Sequence, residues 1–381
     1  MAARLLSHKV ADLCLGKPPL KSLSASATIR HALTALKSTD DTHISLWTCN
    51  HHHISDQSLI NPCRCIGKIS MVDIICFLSK EDNITSPSTA LNSPVSVLIS
   101  PDTSVVRHVD PDTCLVDAID MIINGAQNLV VPISNRTTLS NSKRKQNLHK
   151  EFCWLTQEDI IRFLLSSIGL FSPTAAYSVE ALGIIDSDIL TVNYHAMAST
   201  AVEAITTSLA DQTSVAVIDD DGILIGEISP LTLSFCDETA AAAIVTLSAG
   251  DLMAYIDCGG PPEDILRLVE TRLNERNLLG MFEEFGVYSS SSSSDDELLS
   301  SPLTMKSGRY SRSSSYSARI TRMAEAIVCY PGSSLVAVMI QAIAHRVSYV
   351  WVIEEDCSVV GIVRFSGMLE VFREHLESMM S

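Results

Sequence analysis

Apolar residues recur along this chain in two periods that alternate. "CIGKIS" (residues 65–70) has the apolar/polar alternation of a strand, and "MVDIICFLSK" follows at once with Met71, Ile74, Ile75 and Leu78 at helical spacing, one apolar stripe on a helix. The same joint returns at "EFCWLT" and "QEDIIRFLLSSIGLF" (151–171), where Ile160, Ile161, Leu164, Leu165 and Ile168 make the stripe. It returns again at "ILIGEIS" and "PLTLSFCD" (223–237), and at "SVVGIVRF" and "SGMLEVFREHLES" (358–378) with Phe365, Met368, Leu369 and Phe372 in phase.

Upstream of each joint lie a further helix and strand: "ATIRHALTALKS" with "HISLWTC", "CLVDAIDMIINGAQ" with "NLVVPIS", "MASTAVEAITTSLAD" with "SVAVIDD", and "SSLVAVMIQAIAHRV" with "SYVWVIEED". The chain therefore predicts four units of one plan, strand, helix, strand, strand, helix, an α/β (α+β) repeat fold. Asp221-Gly222 suits a tight hairpin turn, and Pro230 stands where a helix tolerates a missing N–H.

Aligned on Ser70, Thr156, Ser229 and Arg364, the units are spaced 86, 73 and 135 residues apart, so the last interval carries an insertion. Part of it, "PPEDILRLVETRLNERNLLGMFEEFG", has a helical pattern. The rest, "SSSSSSDDELLSSPLTMKSGRYSRSSSYS", is Ser-rich, low in complexity and expected to be disordered. The expected organisation is repeat 1 over 9–82, repeat 2 over 94–172, repeat 3 over 182–247, the insertion over 248–317 and repeat 4 over 318–379.

Composition narrows the function. A 46% hydrophobic, 19% charged chain of 381 residues can bury a large interior, and its net charge of −17 opposes nucleic acid and anionic membrane. The basic run Lys143-Arg144-Lys145 sits in a polar stretch and reads as a solvated loop. The 11 cysteines form no C-x-x-C pair, and Cys76, Cys236 and Cys329 lie in apolar runs, as in a reducing compartment. No secretory signal and no apolar run long enough for a membrane span is expected, so the expected compartment is the cytoplasm, with the nucleus left open.

The joints also repeat a polar pair. Ser70 stands three residues before Asp73, and Thr156 three before Asp159. Such pairs are capping boxes that satisfy free N–H groups at any helix start. A carboxylate there can also accept hydrogen bonds from vicinal sugar hydroxyls while the helix N-terminus faces an anion. Both readings stay open on the residues alone. In repeat 3 the pair becomes Ser229 with Thr232, and in repeat 4 Arg364 with Gly367, so neither retains the carboxylate.

The pattern Gly-x-hydrophobic-[Ser/Thr]-x-x-Asp-hydrophobic at the start of a closing helix resembles the cystathionine β-synthase (CBS) domain. Four in register, with a Ser-rich insertion before the last, resemble a plant family of CBS-domain-only proteins, and more distantly the γ subunit of AMP-activated-type kinases. The resemblance implies that repeats 1 with 2 and 3 with 4 pair into two Bateman modules. It implies an adenosine-containing ligand such as AMP or ATP in the cleft of the first, held at its ribose by Ser70, Asp73, Thr156 and Asp159. It also implies a non-catalytic regulatory role on a protein partner, a kinase or metabolic enzyme. The alternative is a ligand-independent interaction subunit of kinase γ type.

Arg30, His31, Lys68 and the His345-Arg346 pair are candidate phosphate clamps by residue type, against the commoner outcome of a solvated charged face. The loop holding Cys49, His51, His52, His53, Cys63 and Cys65 matches no standard zinc spacing, so no metal is expected. Ser293 and Ser294 precede acidic residues, and Ser315 follows Arg312, in contexts that suit phosphorylation. The chain holds no P-loop, G-x-S-x-G, H-E-x-x-H or Gly-rich dinucleotide turn, and no catalytic residue or cofactor is expected.

Overall fold

The computed structural model describes residues 8–39, 41–48, 63–99, 106–133, 151–257, 261–278, 280–281, 284 and 325–380. A short helix, α1 (Val10–Leu13), precedes repeat 1, which comprises β1 (Ser22–Ser24), α2 (Ile29–Lys37), β2 (His43–Trp47), β3 (Cys65–Ser70) and α3 (Met71–Leu78). Repeat 2 comprises β4 (Val106–His108), α4 (Leu115–Ile123), β5 (Asn128–Ile133), β6 (Glu151–Thr156) and α5 (Gln157–Ser166).

Repeat 3 comprises β7 (Thr191–Asn193), α6 (Val202–Asp211), β8 (Val215–Ile218), β9 (Leu224–Ile228) and the single turn α7 (Pro230–Leu233). Helices α8 (Ala240–Thr246), α9 (Ala249–Asp257) and α10 (Glu263–Glu275) follow it. Repeat 4 comprises β10 (Val328–Cys329), α11 (Leu335–His345), β11 (Tyr349–Ile353), β12 (Val359–Arg364) and α12 (Phe365–Met380).

Each repeat makes its own three-stranded sheet in chain order, the first two strands parallel and the last two antiparallel. The parallel pair requires a crossover, which the first helix of each repeat supplies. Local chemistry fixes the ends: Thr28 accepts from the His31 N–H at the start of α2, Pro230 opens α7, and Gly222 takes φ +81° in the β8–β9 turn.

The sheets of repeats 1 and 2 face each other through Trp47, Cys65, Val106 and Val130, with Phe152 and Trp154 packed on them. Those of repeats 3 and 4 do so through Ala216, Tyr349, Trp351 and Ile362. The two modules expected from the sequence are therefore present. Their helices join across the other direction: one core mixes α2 and α3 of repeat 1 with α6 of repeat 3, and a second mixes repeat 2 with repeat 4, where Phe171 meets Phe372 edge-on at 4.8 Å. No repeat closes a core alone, as expected for units this small.

Helix α8 at the end of repeat 3 and the helices α9 and α10 of the insertion belong to the first of these cores. Ala240 to Ala243 are fully buried, which lets neighbouring helices approach closely, and Leu252, Tyr255 and Leu273 pack beside them. Arg272 and Arg276 of the α10 segment donate to the carbonyls of Thr246 and Val245 at 2.6 and 2.7 Å, capping the C-terminal end of α8 where its dipole favours cations. The closing helix of repeat 3 is only one turn, because the chain turns at Ser234–Cys236 and resumes as this Ala-rich helix.

Candidate functional site

Strand register places the polar pairs. His43 lies opposite Ser70 and Asn128 opposite Thr156, so each hydroxyl ends its strand and its carboxylate begins the next helix. Ser70 is fully buried; its backbone N–H and its Oγ both donate to Asp73 Oδ2 at 2.7 Å. Thr156 repeats this toward Asp159 Oδ2, with both distances 2.8 Å, and its Oγ1 accepts from the Asp159 N–H at 3.3 Å. Both capping boxes are thus formed, and in each of them the donors fall on one carboxylate oxygen.

The two carboxylates differ in their surroundings. Burial pushes the Asp73 carboxyl above its ordinary value, opposed by the Ser70 hydrogen bonds and the nearby Lys68 ammonium, and no cation among the described residues forms an ion pair with it. Asp159 is ion-paired through Oδ2 to Lys17, which the sequence offered no reason to place there.

Lys68 points across the joint of the first module. Burial lowers its pKa to about 8, with Asp73 acting in the opposite direction, and its Nζ lies 3.4 Å from Asn128 Oδ1 in repeat 2. Asn128 is 3% exposed, and its Nδ2 has no partner among the described residues. An orphaned buried donor costs roughly 1–3 kcal/mol, which a hydrogen-bond acceptor brought to it would recover. His43, beside Ser70, is held neutral: burial and then the Lys68 charge lower its pKa to about 3, and its Nδ1 is 2.7 Å from Thr42 Oγ1. The joint of the first module therefore brings together one buried cation, one amide nitrogen with no partner among the described residues and one carboxylate.

The second module repeats this geometry with different chemistry. Glu227 occupies the position of Lys68, two residues before the hydroxyl, and Tyr349 that of Asn128. The Tyr349 hydroxyl donates to Glu227 Oε1 at 2.9 Å, and Trp351 Nε1 donates to Oε2 at 2.6 Å. Burial raises Glu227 to about 7, with the Trp351, Tyr349 and Ser214 hydrogen bonds opposing it.

At the polar-pair positions, Thr232 Oγ1 turns back to the Ser229 carbonyl at 2.9 Å, and Arg364 is ion-paired to Asp186. Beside them a cleft of about 100 Å³, open in part to solvent, runs between Asp188, Asp211, Ser214, Trp351 and Arg364.

Of the candidate clamps, Lys68 alone is shown reaching across a module joint to a site residue of the other repeat. Arg30 is paired with Glu284 at 2.5 Å, His31 Nδ1 lies 3.4 Å from Thr28 Oγ1, and Arg346 ends α11 in the left-handed conformation after His345. The Lys143-Arg144-Lys145 run, the serine contexts at Ser293, Ser294 and Ser315, and all of the Cys/His loop except Cys63 and Cys65 lie outside the described residues. Among the described residues no group of three or more His, Cys, Asp or Glu is placed to hold a metal. No described helix is long and apolar enough to cross a membrane.

No family model matches the chain. It is 49% identical to the CBS domain-containing protein CBSX5 of Arabidopsis thaliana, over 99% of this chain and all of the relative. It is 21% identical to the Arabidopsis SNF1-related protein kinase regulatory subunit gamma-like PV42b, over 99% of this chain and 97% of that one. Among solved structures, a Methanocaldococcus jannaschii protein described as a homologue of γ-AMPK superposes with a TM-score of 0.54 at 14% identity, covering 96% of this chain and 100% of that one. That likeness concerns the fold.

Proposed function

The chain belongs to the CBS domain-containing protein family, and on that premise we propose that it is a non-catalytic regulatory protein that binds an adenosine-containing ligand, AMP or ATP in type, in its first module. Ser70 with Asp73 and Thr156 with Asp159 are the ribose-facing pairs. Occupancy is passed to a protein partner, a kinase or metabolic enzyme of the cytoplasm, by shifting the population of module arrangements.

The observation that carries this reading is the group of buried polar side chains at the joint of repeats 1 and 2. Lys68 and Asn128 stand across the joint from each other beside Asp73, and among the described residues the Asn128 amide nitrogen has no partner and the Asp73 carboxylate no ion pair. A buried lysine whose pKa is lowered by burial and an unsatisfied donor both favour an anionic, acceptor-rich guest. A nucleotide supplies phosphate for the first and ring or phosphate acceptors for the second, while its ribose hydroxyls donate to the carboxylate.

A second reading, a ligand-independent interaction subunit of kinase γ type, is favoured by the loss of the carboxylate at Thr232 and Gly367 and by the ion-pairing of Arg364. Calorimetry of the full chain with AMP and with ATP separates the two. Asp73→Asn is expected to weaken binding roughly 10–100-fold, the value of a charged hydrogen bond or two. Its cost to stability is about 1 kcal/mol, that of a weakened helix cap. Binding unchanged in Asp73→Asn, or absent from the wild type, removes the first reading.

A further inference from the structure

The N-terminal segment is built onto repeat 2. Val10 and Ala11 donate their N–H groups to the Thr113 and Pro111 carbonyls at 2.9 Å, Leu115 donates to the His8 carbonyl at 3.0 Å, and Leu20 to the Phe152 carbonyl at 2.8 Å. Val10 is fully buried and Cys14 is 5% exposed, both in the core with Ile119, Leu155 and Ile160. Between these anchors Gly16 takes φ +77°, a left-handed turn suited to glycine, and the chain passes over the end of β6.

Lys17 follows that turn. Its Nζ donates to the Trp154 carbonyl at 2.8 Å and forms an ion pair with Asp159 Oδ2, and both side chains are less than a quarter exposed. With the Thr156 N–H and Oγ1 on the same oxygen, Asp159 Oδ2 is surrounded by three donors. Asp73 Oδ2 receives, among the described residues, the two donors of its own box. The two sites of one module, equal in sequence, are therefore unequal in state.

We propose that Lys17 is the resident occupant of the Asp159 site, so that the first module takes an external ligand at Asp73 alone until the N-terminal segment is withdrawn. The proposal rests on the nucleotide reading above and adds its stoichiometry and regulation. An ammonium donates a charge-assisted hydrogen bond to the carboxylate, which a neutral sugar hydroxyl does not match. Because the segment is anchored on both sides of Lys17, the ammonium also competes at an effective concentration on the order of millimolar or higher. A ribose therefore loses to the chain's own lysine at Asp159, whereas at Asp73 the nearby Lys68 makes no ion pair and reaches Asn128 instead. A partner that draws residues 8–20 off repeat 2 would open a second site.

Two measurements on the full chain test this. Calorimetric titration with AMP is expected to give one site in the wild type, two in Lys17→Met, which keeps the apolar stem, one weakened roughly 10–100-fold in Asp73→Asn, and that weakened site plus one of undiminished affinity in the double variant. In parallel, lysine acetylation by an N-hydroxysuccinimide ester, read by mass spectrometry, should be roughly tenfold slower at Lys17 than at exposed Lys80, as a charged hydrogen bond of about 1.5 kcal/mol implies. The Lys17 rate should rise by that factor in Asp159→Asn. Two sites in the wild type, one site in Lys17→Met, or equal acetylation of Lys17 and Lys80 in the wild type overturns the proposal. If no variant binds AMP, the nucleotide reading and the stoichiometry drawn from it both fall, and the acetylation rates decide independently whether Lys17 occupies Asp159.

Discussion

Glu227→Gln is expected to stabilise the protein at pH 8 by on the order of 3 kcal/mol and to leave it nearly unchanged at pH 4.5. The carboxyl lies 7% exposed between the sheets of repeats 3 and 4, and burial raises it to about 7 from an ordinary 4.5. A shift of that size corresponds to about 3 kcal/mol at roughly 1.4 kcal/mol per unit. The folded form holds the proton more tightly than the unfolded one, so the stability this group gives is fully present below about 4.5 and is lost as pH rises through about 7.

Glutamine is neutral at every pH and keeps the partners. Its oxygen can accept from Trp351 Nε1, and its amide nitrogen can donate to the Tyr349 hydroxyl, which accepts as well as donates. Urea unfolding of both chains at pH 4.5 and pH 8 measures the difference. Equal effects at the two pH values would show that the carboxyl is not charged at a cost in the joint.

Trp47→Ala is expected to cost about 3–5 kcal/mol, the usual range for an aromatic removed from a core, and to abolish ligand binding with it. Trp47 is 2% exposed at the joint of repeats 1 and 2. Its ring lies 4.9 Å from that of Phe152 and 5.7 Å from that of His108, and Nε1 donates to Ser45 Oγ at 2.9 Å. These two sheets are held face to face at this joint, so loosening it separates Lys68 from Asn128. Thermal unfolding and AMP titration of the same sample check both halves. A folded Trp47→Ala chain that binds as the wild type does would detach the cleft from the joint.

The repeats were legible because strand and helix periods alternate four times at one kind of junction, and because the Ser70/Asp73 and Thr156/Asp159 pairs mark that junction. The face-to-face pairing of repeats followed from the resemblance to the CBS family and from the small size of each unit. What joins the modules to each other was hidden: helices of repeat 1 pack on those of repeat 3, and helices of repeat 2 on those of repeat 4, contacts set by surface shape over long separations.

Single residues were less legible still. Glu227 reads as an ordinary polar residue in a strand, and only the sheet opposite makes it buried. Lys68 stands out by residue type, but its partner Asn128 lies 60 residues away and carries no motif. Lys17 is 142 residues from Asp159, and no local pattern announces a clasp of that span. One signal was available for Lys68 and Glu227: each stands two residues before the marker hydroxyl, where the strand face turns toward the neighbouring repeat.

A crystal structure of the full chain with AMP tests the central claim most directly. The nucleotide is expected between repeats 1 and 2, its ribose hydroxyls on Asp73 and its phosphate or ring acceptors toward Lys68 and Asn128. AMP bound instead between Asp211 and Arg364 of the second module, or bound nowhere, would contradict it.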